Sequence, residues 1–595
     1  MSLSAALNTA KSSLAASQLQ TQITSSNIAN VNTAGATRKI ANVVTGPNGT
    51  VTVTSIAQSS NSTLFRNMLD ATSKLTVATM QADAYARLNE VVGDTNAKQS
   101  PQAKVAALND ALSSLANTPG NYDLARAAAQ AAQDLVTTIR DNADTVQSIR
   151  RDADNNLSIA ASDMNRILKD LEAVNRRVVA GTTSGEDVTD QSDQRDRLVK
   201  ELSQYVGVSV RTRGNNDMVI YTDSGVTLLE NTARAVAFEK TASLVPGGEG
   251  NAFYIDGVAV TGSNSYMPAK GGMIVGLTDV RDKVANTYGA QLDELARGLI
   301  SAFSEADQND TSPAVGAKAG LFTSTQLATE TLGPVGIGTF SGAPTPGTLS
   351  FTVTYEGVEY SVSGTVDATQ LATSDDFAAR LQEMIAEGKS SSGAVLGKGR
   401  VSVDGAGGTL TMSGSGVGQS VLSLSGLSAT ATTGLSIGAS TLSGPNPNAG
   451  LASTLALADG VLANPTKVRD GVNGGEYNYN PTALGGFSGR INALANAMNS
   501  MRGFSATSGA DPRATLSGYA SSSISWLQDA RSAASRSVTS ISTLVSKTEE
   551  TLSNETGINL DVELTRLIEL ERSYQASAKI ISTVDQMLSQ LLQSI

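Results

Sequence analysis

NYDLARAAAQAAQDLVTTIRDNADTVQSIRRDADNNLSIAASDMNRILKDLEAVNRRVVA, residues 121–180, contains neither glycine nor proline. These are the two residues that interrupt helices, glycine through backbone entropy and proline through its missing N–H. The stretch therefore predicts a single helix of about 90 Å at 1.5 Å per residue. Leu135, Ile139, Val146, Ile149, Ala153, Leu157, Ala160, Met164, Leu171, Val174 and Val178 recur at steps of three, four and seven, which places them on one face. A helix so far beyond the usual length implies a rod-like bundle. C-terminal to it, Asp193-Gln194-Arg195-Asp196-Arg197-Leu198-Val199-Lys200-Glu201-Leu202 reads as a second amphipathic helix, ended by Gly207. Residues 279–303 form another, and residues 519–556, free of glycine and proline, carry the single tryptophan, Trp526. These segments come from both halves of the chain, so the bundle is closed by sequence-distant partners.

The two ends share a pattern. Leu3, Leu7, Ala10, Leu14, Ser17, Thr21, Thr24, Ile28 and Val31 follow steps of four and three. Leu560, Leu564, Leu567, Glu571, Tyr574, Ala578, Ile581, Asp585, Leu588, Leu592 and Ile595 do the same, and Ile568, Ile580, Val584, Met587 and Leu591 widen that stripe. Such spacing is the seam of a coiled coil. Two readings follow: an antiparallel pair that closes a single domain, or a terminal pair used for assembly. The polar interruptions in each stripe favour assembly.

The middle is different. Between residues 208 and 267, short alternating segments such as Met218-Val219-Ile220-Tyr221 and Ala252-Phe253-Tyr254-Ile255 are separated by glycine and asparagine. From residue 321 to 450 the chain is rich in Gly, Ser and Thr. Phe351, Val353 and Tyr355, then Val358, Tyr360 and Val362 after Gly357, alternate as a β-hairpin does, and Val421, Leu422 and Leu424 are strand-like.

A chain of 595 residues forms several domains. It has no cysteine and no histidine, which excludes a disulfide framework and any thiolate or imidazole site. The net charge of −12 argues against nucleic acid or an anionic membrane as partner. No apolar run is long enough for membrane insertion, and the N-terminus, Met1-Ser2-Leu3-Ser4, lacks the signature of a cleaved leader. Asp152-Ala153-Asp154-Asn155-Asn156 has the opening spacing of a calcium loop, but Leu157 stands where its glycine belongs; a solvated helix face is the better reading. Gly336-Ile337-Gly338 and Gly414-Ser415-Gly416-Val417-Gly418 complete no phosphate-binding pattern and read as turn glycines. Glu549-Glu550 and Asp375-Asp376 read as solvated charge. The expectation is no enzyme: no catalytic residues, no metal site and no cofactor.

Ser25-Ser26-Asn27-Ile28-Ala29-Asn30-Val31-Asn32-Thr33-Ala34-Gly35-Ala36-Thr37-Arg38 resembles the N-terminal signature of the flagellar rod, hook and hook-associated axial proteins. Asn27, Asn30, Asn32, Thr33, Gly35 and Arg38 match it. Ala36 stands where that family usually has tyrosine, and Ala34 where proline is frequent. The run from Gly557-Ile558-Asn559-Leu560-Asp561 through Glu571-Arg572-Ser573-Tyr574-Gln575-Ala576-Ser577-Ala578 resembles its C-terminal hallmark. Residues 190–202, and 271–303 with Gly276-Leu277 and Arg281-Asp282, are similar to the hook-associated members.

The expected fold is multidomain α+β: a terminal helical coiled-coil domain and a long-helix bundle with inserted β-rich domains. Its divisions are residues 1–61 with 557–595 (terminal helical domain, the inner tube), 62–207 with 271–310 and 481–556 (bundle), 208–270 (β-rich insertion), 321–450 (outer β-rich domain) and 451–480 (connector). The resemblance implies a structural adaptor at the hook–filament junction, required for filament assembly. It also implies an extracellular flagellar location reached by type III export without a cleaved signal. Implied partners are further copies in a ring or helical array, hook subunits, a second hook–filament junction protein and an export chaperone. The residues expected at the assembly interface are Leu3, Leu7, Leu14, Asn27, Asn30, Asn32, Gly35, Leu564, Leu567, Tyr574, Ala578, Ile581, Leu588 and Leu592. The alternatives are another axial protein, a hook or rod subunit, and a secreted adhesin or glycan-binding protein.

Overall fold

The computed structural model describes residues 3–46, 49–92, 99–308, 317–327, 329–340, 345–417, 421–430, 439–441 and 449–593. Helix α1 (Leu3–Ala29) is followed by a hairpin of strands Lys39–Thr45 and Val51–Gln58, then by α2 (Ser62–Val92), α3 (Pro101–Asn117), α4 (Tyr122–Ser184) and α5 (Thr189–Tyr205). Helix α4 runs unbroken for 63 residues. Asn121 caps it by accepting from the N–H groups of Asp123 and Leu124, and Gly185 closes it in the left-handed conformation with φ 78°. All eleven apolar residues expected on its inner face are buried.

That face forms one core with the helices around it. Helix α6 (Met273–Asp279) passes through a single π-turn, Val280–Val284, into α7 (Ala285–Ala302), so this helix starts at residue 273 rather than 279. Later come α8 (Ser374–Ala386), the one-turn helices α9 (Leu451–Thr454) and α10 (Lys467–Asp470), α11 (Gly489–Asn499), α12 (Leu516–Thr556) and α13 (Leu560–Gln593). Helix α12 lies antiparallel to α2. Trp526 meets the Tyr85 ring edge-on at 6.1 Å, Gln528 donates to Asn89 at 2.6 Å, and Asn61 donates to Glu555 at 2.9 Å. The sequence-distant closure of the bundle is thus observed.

Helix α7 is buried on nearly all sides, and its polar residues act as sockets for loops. Asp293 accepts from the N–H groups of Gly450 and Ala452, each at 2.8 Å, while Gln291 donates to the Ser508 carbonyl at 2.9 Å. Burial pushes the Asp293 carboxyl up to about 7 against the pull of those two N–H donors. Leu451, Leu455, Val461 and Val468 pack into the same core.

Strands Val208–Thr212, Met218–Thr222, Thr227–Glu230 and Thr232–Ala233 form a four-stranded antiparallel meander, followed by three short strands up to Val258–Ala259. The outer domain has a core of its own. Its hairpin pairs Gly347–Tyr355 with Val358–Val366 in the expected register, Phe351 opposite Val362 and Val353 opposite Tyr360. Glu356 and Gly357 both take positive φ at the turn, the signature of a tight hairpin. Strand Val421–Ala429 adds to the free side of Gly347–Tyr355.

Several expectations need correction. The outer domain also contains α8, whose Phe377, Leu381, Met384 and Ile385 cover the sheet. Asp376 is the partner of the Thr373 cap rather than free surface charge. Gly336 and Gly338 lie at an irregularity within strand Thr329–Thr339, and Gly414 and Gly416 within Thr409–Val417; none is a turn glycine. A Cβ at Gly414 would sit 2.5 Å from the Arg400 carbonyl, so close strand approach requires glycine there. Gly418 lies outside the described residues. Asp154 is not on a solvated face but buried, bonded to Arg281 at 2.7 Å. Glu549 pairs with Lys200 of α5 at 2.5 Å. No described helix is long and apolar enough to cross a membrane.

Candidate assembly site at the chain ends

Helices α1 and α13 lie antiparallel, with Ser13 beside Ser577 at 3.1 Å and Ser17 beside Ser573 at 3.3 Å. Small residues let the backbones approach: Ala10, Ser17 and Thr24 are buried on α1 as the expected stripe requires. On α13 the buried positions are Glu563, Leu570, Ser577 and Val584, a seven-residue repeat. Leu567 and Ile581 of the expected seam are half-buried, whereas Leu564, Tyr574, Ala578, Leu588 and Leu592 are exposed. The expected stripe and the contact with α1 therefore share only part of their positions. Several large apolar side chains are exposed: Ile568 is 52% exposed, Ile580 48% and Leu592 77%. Leu3, Leu7 and Leu14 are half-buried.

The asparagine-rich end of α1 and the segment that follows it form the joint between this pair and the bundle. Asn27 is buried; its amide donates to the Lys39 carbonyl at 3.0 Å and to Glu563 at 3.1 Å, and its oxygen accepts from Lys39 N at 3.1 Å. Arg38 donates to the other Glu563 oxygen at 2.6 Å, and its N–H donates to the Thr556 carbonyl at 2.8 Å. Asn30, half-buried, donates back to the Ser26 carbonyl and accepts from Thr33, tightening the exit from the helix. Asn32 and Gly35 are exposed. Gly35 has φ +72°, and a Cβ there would meet Arg197 at 2.9 Å.

The other half of the joint is the Asp193-Gln194-Arg195-Asp196 turn of α5. Asp193 accepts from Thr37 Oγ1 at 2.6 Å and Thr37 N at 3.2 Å, and Gln58 of the hairpin donates to both Asp193 and Asp196 at 3.0 Å. Arg195 donates to Asn175 of α4 at 2.9 Å and to the Asn216 carbonyl of the β insertion at 2.6 Å. Lys39 pairs with Asp190. Burial raises both carboxyls, Asp196 to about 6; the Thr37 bonds hold Asp193 down in part. A cleft of about 340 Å³ opens among these groups, with Asn27, Asn30, Ala36, Thr37, Arg177 and Arg197 on its walls. Small Ala36 leaves this space unfilled. The sequence reading named Asn27, Asn30 and Gly35 but missed Lys39, Gln58, Asp193, Asp196 and Glu563 as interacting groups. The Asp-Gln-Arg-Asp quartet itself was the available signal.

This site holds polar groups in fixed geometry. Among the described residues no group of three His, Cys, Asp or Glu side chains is arranged to hold a metal ion.

Three family models match the chain in order. "Flagella basal body rod protein" covers residues 7–37, "Flagellar hook-associated protein FlgK helical domain" 85–318, and "Flagellar basal body rod FlgEFG protein C-terminal" 553–594. Among curated proteins, the flagellar hook-associated protein 1 of Escherichia coli (strain K12) is 26% identical over 324 residues, which is 51% of this chain and 56% of that protein. Its counterpart in Salmonella typhimurium is 25% identical over the same shares. The chain thus spans about half the length of the curated relatives it matches. Among solved structures, the flagellar hook junction protein FlgK from Burkholderia pseudomallei aligns with a TM-score of 0.48 and 14% identity, over 82% of this chain and 99% of that one. The rod-type models fall on α1 with the asparagine-rich exit and on α13, and the helical-domain model falls on the α4–α7 bundle. By these matches the chain is similar to the flagellar rod and hook axial proteins at its two ends and to flagellar hook-associated protein 1 over its helical bundle.

Proposed function

We propose that this protein is a structural subunit of the bacterial flagellum, an adaptor between hook and filament that acts through subunit contacts and not through catalysis. One observation carries the reading: α13 leaves Ile568, Ile580 and Leu592 on its open side, while Glu563 and Ser577 take two of the four buried positions of its repeat beside Leu570 and Val584. An apolar stripe of that length on a free surface calls for further partners. Copies of the same chain supply them in a ring or helical array, where heterologous interfaces repeat around a tube. Hook subunits and a second junction protein abut the array on either side, and an export chaperone shields the ends before secretion. The protein reaches the cell exterior by flagellar export. The joint built on Asn27, Glu563 and Asp193 fixes the angle between the terminal pair and the bundle, and the outer domains project from that frame.

Deletion of the gene in its host, followed by electron microscopy of the cell surface, tests the reading. The expected result is hooks without filaments and filament subunits shed into the medium. Loss of hooks would move the protein to a rod or hook role, and normal motile filaments would overturn the assignment.

A further inference from the structure

The outer domain meets the helical body around a pocket of about 90 Å³ that carries more positive than negative charge. The hairpin residues Tyr355 and Glu356 enter from the outer domain, Ser301 and Ser304 from the end of α7, and Arg490 and Arg502 from α11 and the strand after it. Arg400 completes the ring; it donates to Ser304 Oγ at 3.1 Å and lies 5.9 Å above the Tyr355 ring. Arg490 stacks 4.4 Å from the Tyr479 ring and approaches Glu305 to 2.6 Å. Arg502 spends both terminal nitrogens on backbone carbonyls, Gly298 at 3.1 Å and Ala497 at 2.8 Å.

Three guanidinium groups therefore share two carboxylates, Glu305 and Glu356. Glu305 also accepts from the N–H groups of Val472 and Asn473, and Glu356 from Ser301 Oγ and Val417 N. Arg490 and Arg502 are each 3% exposed, and among the described residues the Nε of each is buried without an acceptor. An uncompensated cation and unpaired N–H groups in a low-dielectric site are costly, and an anion relieves both at once. Burial, with Arg297 and Arg400 adding repulsion, already pushes the Arg502 guanidinium down to about 10. The volume is that of about three waters at roughly 30 Å³ each, which admits a phosphate-sized ion and excludes a nucleotide.

We propose that this pocket binds one small tetrahedral oxyanion of the phosphate or sulfate class, held by Arg400, Arg490 and Arg502, which locks the outer domain onto the helical body. Guanidinium groups match such oxygens in geometry as well as charge. The ligand stabilises the folded chain by mass action.

The test uses the full chain with inorganic phosphate and sulfate against chloride at matched ionic strength, read by thermal unfolding and by titration calorimetry. Saturable stabilisation by the oxyanions with one site per chain is expected. Arg502→Gln should bind phosphate at least tenfold more weakly. Glu356→Gln removes a negative charge from the pocket and should bind it more tightly, so the two variants move in opposite directions. Arg536→Gln, on the exposed face of α12, should leave binding unchanged. Diffraction from crystals soaked in selenate should place the anion between the three arginines. Equal stabilisation by chloride and phosphate, unchanged affinity in both pocket variants, or selenate bound elsewhere would each overturn the proposal.

Discussion

The Asn27 amide and the Glu563 carboxylate meet at 3.1 Å although 536 positions of sequence separate them. This contact and the Arg38–Glu563 pair at 2.6 Å join the last turn of α1 and the segment after it to the first turn of α13. Glu563 is 1% exposed, so its loss cannot be made good by water. Glu563→Ala should loosen the terminal pair by about 1–3 kcal/mol, the cost of leaving buried donors unsatisfied. Hydrogen exchange should show the loss confined to residues 3–45 and 560–593, with protection of α4 unchanged. Protection in the terminal helices equal to that of the parent chain would refute this role for Glu563.

How far the ends were legible in the sequence follows from what the contact is made of. The inner face of α4 could be read residue by residue because Leu, Ile, Val and Met fill it. The contact between α1 and α13 could not, because Ser577 and Glu563 lie inside while Leu564 and Leu588 lie outside. Apolar residues occupy both faces of this helix, so a reading by hydrophobic steps lands partly on the exposed one. The hairpin Lys39–Thr45 with Val51–Gln58 was passed over although Gly46-Pro47-Asn48-Gly49 separates two alternating runs, a turn signal in its own right. Helix α8 hid among Gly, Ser and Thr for a related reason, since Asp376, the partner of its Thr373 cap, reads together with Asp375 as solvated charge. Local patterns gave the kinds of element correctly. The polar joint around Asp193 was not legible because its partners Thr37 and Gln58 come from more than 130 positions away.

Asp196 gives the joint a dependence on pH. Its folded value of about 6 lies above the ordinary 3.8 because burial disfavours the carboxylate. A raised value means that the neutral form is favoured in the fold. Its contribution is complete below about pH 4 and fades as pH rises through 6. Asp196→Asn mimics the neutral form and keeps an oxygen for Gln58. It should raise stability by roughly 1–3 kcal/mol at pH 7.5 and by nothing at pH 4, with a flatter profile between. Asp293, raised to about 7, titrates from pH 4 upward in the same sense, so part of the slope remains. Unfolding in denaturant across this range is the measurement; a parallel profile in the variant would contradict the assignment.

Arg281 holds the β insertion against the bundle. It is fully buried, bonded to Asp154 at 2.7 Å, to Asp282 at 2.8 Å and to the Asn251 carbonyl at 3.0 Å, and it sits in the π-turn between α6 and α7. Removing one partner of such a cluster strands the others. Arg281→Met should therefore cost about 3–5 kcal/mol. Asp154 also caps the 241 loop through Thr241, so the damage should appear first as protease cleavage between residues 239 and 251. Cleavage there at the parent rate would show that the insertion is held by its strands alone.

The outward face of α13 is the feature on which assembly and folding separate most cleanly. Ile568 and Ile580 are 52% and 48% exposed, and neither lies on the buried repeat of Glu563, Leu570, Ser577 and Val584. Replacing both with aspartate removes apolar surface that water already reaches, so the isolated chain should keep its stability within about 0.5 kcal/mol per site. In an array the same positions would bury two carboxylates against neighbouring subunits, at a cost no partner there offsets. Ile568→Asp with Ile580→Asp should therefore fold and be exported yet fail to restore filaments in a deletion strain, whereas Ile568→Val with Ile580→Val should restore them. Filaments restored by the aspartate variant would mean that this face stays in solvent after assembly, and another surface would then have to join the copies.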